Sequence, residues 1–143
     1  MSPSESPRRR ARELVLQALY AHQHGDMEPD DDFSNIVSDK TLPGKALDFA
    51  RQLYRLICEN QEWADKTISR LAEHWDINRM AIIDLNILRM ATVEIRYIVD
   101  VPVKVVLNEA IELARKYSTD ESSAFVNGIL DSFVNQTEHD SQE

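Results

Sequence analysis

NRMAIIDLNILRMATVEIRYIV, residues 78–99, decides how this chain folds. At about 100° per residue, Met80, Ile82, Ile83, Leu85, Ile87, Leu88, Met90, Val93, Ile95 and Ile98 point to nearly every side of a helical cylinder. A helix that is apolar all round must be wrapped by other elements, so this stretch is expected to be the central post of the fold. Asp76 offers a capping oxygen just ahead of it, which predicts one long helix from about Asn78 to Val99.

Helical spacing continues on both sides. Downstream, Pro102 opens a helix whose buried stripe is Val106, Leu107, Ala110, Ile111, Ala114 and Tyr117, with Glu112 and Lys116 as an i,i+4 surface pair. Ser118 to Ser123 is a polar turn rich in capping residues. The last helix carries Phe125, Val126, Ile129, Leu130, Phe133 and Val134, and 137–143 is a polar tail. Upstream, Trp63, Ile68, Leu71 and Ala72 form one helix. A break near Asn60 separates it from another with Ala46, Leu47, Ala50, Leu53, Tyr54 and Ile57. Residues 26–43 are an acidic connection in which Phe33, Ile36 and Val37 suggest one short helical turn. The first helix spans Arg8 to about His24, with Ala11, Leu14, Val15, Ala18 and Leu19 turned inward and Gly25 as its stop. Residues 1–7, MSPSESP, read as disordered. The fold class is therefore all-α. It is a helical bundle of six or seven helices, one domain over 8–136, in two three-helix-like lobes of about 8–75 and 76–136.

Composition agrees with this reading. The 143 residues are 43% hydrophobic, enough for one core, while three glycines and five prolines are too few for the turns of a β-sandwich or barrel. No apolar run reaches the length of a membrane span, and the charged N-terminus lacks the apolar stretch of a secretory signal. A single cysteine, Cys58, forms no internal disulfide and suits a reducing, cytoplasmic setting. The net charge of −9 is uneven. Arg8, Arg9, Arg10 and Arg12 outweigh Glu5 and Glu13 to leave residues 1–24 at +2, and the rest of the chain at −11. Such a body repels phosphate, which excludes a general coater of DNA but leaves room for a local contact at the basic end.

No nucleotide loop, dinucleotide fingerprint or nucleophile elbow is present, and the four histidines lack partners at metal-ligand spacing, so neither catalysis, nor a cofactor, nor a metal is expected. Binding is the expected work. Four arginines within five positions can reach several phosphates, and the planar guanidinium both bonds phosphate and stacks on bases. Cations are also poorly placed at a helix N-terminus, which hints at a use. The alternative, that the arginines only solubilise, stays open. Arg9, Leu16 and Tyr20 project opposite the inward stripe, either as a docking surface or to pack on a neighbour. Asp84 lies on one face of the central helix with Leu88, Ala91 and Ile95, paired internally or facing a partner. Gly128, inside the last helix, suggests a close helix–helix approach ahead of a close ligand approach.

The segments RRRARELVLQALYA (8–21), NRMAIIDLNILRMATVEI (78–95), VPVKVVLNEAIELARKYS (101–118) and SSAFVNGILD (122–131) together resemble the NusB family. The resemblance covers most of the chain in order and weakens over 26–75. It implies an all-helical transcription antitermination factor that binds boxA RNA, pairs with the ribosomal protein NusE and acts in the RNA polymerase antitermination complex. It further implies RNA contacts at Arg8, Arg9, Arg10, Arg12 and Arg89, with partner contacts at Tyr20, Asp84 and Glu121. NusB-like domains also precede the catalytic half of some ribosomal RNA methyltransferases, and some members form homodimers. An interaction scaffold, or an RNA-binding module tied to ribosomal RNA modification, is thus the alternative.

Overall fold

The first described helix begins on a Ser-Pro pair. The Ser6 hydroxyl accepts the backbone N–H of Arg9 at 3.1 Å, and its carbonyl accepts that of Arg10 at 3.1 Å. Pro7 occupies the first helical position, where a missing N–H costs nothing. The sequence assigned residues 6 and 7 to a disordered start; they are the cap and first residue of α1 (Pro7–His24). The structure, a computed structural model, describes residues 6–24, 42–73 and 76–141. The acidic connection, the turn expected at Phe33, Ile36 and Val37, and the stop at Gly25 lie outside the described residues.

Among those residues there are six α-helices, one 3-10 turn and no strand. After α1 come α2 (Gly44–Glu59), α3 (Gln61–Leu71), the 3-10 turn Ile77–Arg79, α4 (Ile82–Tyr97), α5 (Val103–Tyr117) and α6 (Asp120–Ser141). They fall into two compact units divided between Glu59 and Asn60. In the first, α1 packs on α2. In the second, α4 packs against α3, α5 and α6. The sequence placed the lobe boundary near residue 75, but α3 belongs with the second unit. It buries Ala64, Thr67 and Ile68, and its Asp65 forms an ion pair with Arg89 of α4.

The stretch that decided the fold is wrapped as expected, since every residue from Asp84 to Glu94 is buried. Its start differs. Asp76 caps the 3-10 turn, accepting the Asn78 N–H at 2.9 Å, and extended backbone at Met80 and Ala81 separates that turn from α4. No glycine or proline marks this break, so helical spacing runs straight through it. Other differences are local. The carbonyl of Pro102 accepts the N–H groups of Val105 and Val106, which makes Pro102 the cap of α5. Glu112 also pairs with Arg115 at 2.9 Å, three residues on. α6 runs on to Ser141, through most of the stretch expected to be a tail. Gly128 faces open space, with nothing within 4 Å of where a Cβ would stand, so a close internal helix approach is not its reason.

Candidate nucleic-acid interface

The basic start of α1 sorts its four arginines. Arg8 is exposed, and Arg9 and Arg10 are half-buried. Arg12 is only 2% exposed, so it is an inner side chain of its unit and not a fourth surface cation. Residues 11–16 are all buried, and Arg12 lies one turn from buried Val15 and Leu16. Two of the arginines meet an aromatic ring from α2. The Arg8 guanidinium carbon lies 4.6 Å from the centroid of Phe49, and that of Arg12 lies 5.1 Å from it. Sequence reasoning left Phe49 out of the α2 stripe. Its spacing of four from Leu53 and eight from Ile57 was the signal that could have found it.

Further along α1, Leu16 is buried, as the packing alternative for it had it. Tyr20 is 49% exposed. It lies about 18 Å along the helix axis from Arg8.

Asp84 and Glu121, assigned to a partner surface, both line one cleft of the second unit, of ≈ 400 Å³. Asp76, Arg79, Met80 and Ala81 form one wall of it, and Thr119, Ser122 and Phe125 contribute from the start of α6. Its charge is acidic, with three carboxylates against the one guanidinium of Arg79. The cleft is held by the cap of α6. The Thr119 hydroxyl oxygen accepts the backbone N–H of Ser122 at 3.0 Å, and the Ser122 hydroxyl donates to Asp84 Oδ2 at 2.8 Å. That hydrogen bond pairs Asp84 internally, as one of the two sequence readings had it. The other oxygen, Oδ1, is buried with no hydrogen-bond partner. Arg79, Ser122 and Phe125 were not singled out from sequence for this role; the capping residues at 118–123 were the available hint.

Arg89 does not face the cleft's solvent. It is 6% exposed, and Asp65 takes its Nε at 2.6 Å and a terminal nitrogen at 2.9 Å. The other terminal nitrogen donates to Asn86 Oδ1 at 3.1 Å. This two-pronged pair joins α3 to α4, and it leaves Arg89 without the outward guanidinium edge that a phosphate contact needs.

An all-helical scaffold with a basic helix start in one unit and an acidic, capped cleft in the other defines the class. The chain belongs to the NusB family, whose model matches residues 9–135. A transcription antitermination protein NusB of Chloroherpeton thalassium is 44% identical over 130 residues, spanning 90% of this chain and 62% of that protein. The structure of T. maritima NusB superposes with a TM-score of 0.83 at 42% identity, covering 90% of each chain. A chain from the complex of antitermination factors NusB and NusE with double-stranded RNA gives a TM-score of 0.79 at 24% identity, over 88% of this chain and 94% of that one, a likeness of fold. Among the described residues, no helix is long and apolar enough to cross a membrane.

Proposed function

We propose that this chain is a transcription antitermination factor that acts by binding and performs no catalysis. Arg8, Arg9 and Arg10 contact the phosphates of a boxA RNA, while the acidic cleft around Asp84 and Glu121 takes a basic protein partner of the NusE kind; exposed Tyr20 is a separate partner contact on the first unit. The observation that carries this reading is the reach of the family match, which runs from the basic start of α1 through the cleft to residue 135. Charge divides the two tasks. A cleft with three carboxylates repels phosphate and attracts lysine and arginine side chains, whereas the arginine cluster does the reverse. The relatives' name and the RNA and NusE of the neighbouring complex support both halves. Arg89 and Arg12 act inside the protein in this proposal, positioning helices. The setting is the cytoplasm, within the RNA polymerase antitermination complex.

A gel shift with boxA RNA and a scrambled RNA of equal composition, with and without NusE, tests the proposal. It expects a shift selective for boxA that NusE strengthens. Equal shifts for both RNAs would contradict it, and a complex with NusE that never engages RNA would favour the scaffold reading.

A further inference from the structure

We propose that Phe49 is a positioning residue for RNA binding, its ring holding the Arg8 guanidinium ready at the start of α1. Two arginines four apart on one helix repel each other, and Arg8, in the first turn, also sits where the helix dipole disfavours cations. The negative face of an aromatic ring offsets both effects, and Phe49 lies 4.6 Å from Arg8 and 5.1 Å from Arg12. Phe49 is 5% exposed and belongs to the buried stripe of α2, so the ring is fixed by its own packing. Arg12 is buried and closes the inner side of this contact, while Arg8 remains exposed. A cation held by a ring contact keeps its N–H donors, because the ring takes none of them as a carboxylate would. A long side chain restrained before its ligand arrives loses less freedom on binding. Phe49 thus acts on RNA through Arg8 without touching it.

The inference rests on the RNA-binding reading above, and a double-mutant cycle on the full chain with boxA RNA separates the two. Phe49→Leu keeps an apolar side chain and removes the ring face. It is expected to weaken binding by about two- to five-fold at low salt. In an Arg8→Ala background the same substitution is expected to change binding by less than roughly 1.5-fold, because two residues that act through one contact are not additive. Phe49→Tyr is expected to retain wild-type affinity. Equal losses from Phe49→Leu in both backgrounds, with helical circular dichroism unchanged, would overturn the role of Phe49 alone. A wild-type chain that fails to bind boxA RNA would overturn this inference and the RNA reading together. Should Phe49→Leu fold poorly, the wild-type chain supplies the check: the Arg8 Nε–H proton resonance is expected upfield, displaced by the ring current. A random-coil position would overturn the proposal.

Discussion

Arg8 and Arg89 carry the same side chain, and the family resemblance assigns both to RNA, yet their surroundings differ in kind. Arg8 meets Phe49 and stands exposed. Arg89 is gripped by Asp65 through two nitrogens and by Asn86 through a third, and is buried. The lesson is that a guanidinium held against an aromatic ring keeps its hydrogen-bonding donors for a ligand, while Arg89 has committed three of its five to partners inside the protein. The first arrangement serves recognition, and the second joins helices.

The largest effect expected from this contrast is on RNA affinity. Replacing Arg8, Arg9 and Arg10 together with Ala should lower boxA affinity roughly a hundred-fold at low salt, since each arginine–phosphate hydrogen bond removed costs about 1 kcal/mol. Helicity should not change, and a binding isotherm beside a circular dichroism spectrum checks both. Asp65→Ala addresses the other arginine. It leaves the Arg89 guanidinium buried without its carboxylate and should cost about 2 kcal/mol of stability, below the full range for a buried pair because Asp65 is itself partly exposed. Denaturant unfolding measures that loss, and a drop in RNA affinity in the folded variant would return Arg89 to the RNA surface. The smallest effect comes from Gly128. With open space where its side chain would be, Gly128→Ala should stabilise α6 by about 0.5–1 kcal/mol, seen as a higher Tm. A destabilised variant would contradict the open surroundings of Gly128.

The contrast also explains how much was legible in the sequence. Apolar residues on all sides of 82–97 required a wrapped helix, and the spacing downstream of Pro102 placed α5 and α6, because burial imposes a period that a sequence displays directly. The break at Met80 and Ala81 left no such trace, since neither residue is a helix breaker and the Asp76 cap suits a 3-10 turn as well as an α-helix. The arginine cluster was visible as charge, but its sorting was not. Arg12 turns to meet Phe49, thirty-seven positions away in sequence and in another helix. The two readings of Leu16 stayed open for a related reason. Helical phase says only which residues share a side of α1, and Leu16 is buried on the side opposite its stripe. The partnership of Asp84 with Ser122 likewise joins elements that no local pattern connects.

The most direct test of the account is the salt dependence of boxA binding for single arginine variants. With three surface arginines on a single strand, the slope of log K against log salt is expected near −2, and Arg8→Ala should make it shallower by about 0.7. Arg12→Ala and Arg89→Ala should leave the slope unchanged in whatever fraction stays folded. A slope unaffected by Arg8→Ala, or one made shallower by Arg89→Ala, would contradict the division between recognising and joining arginines.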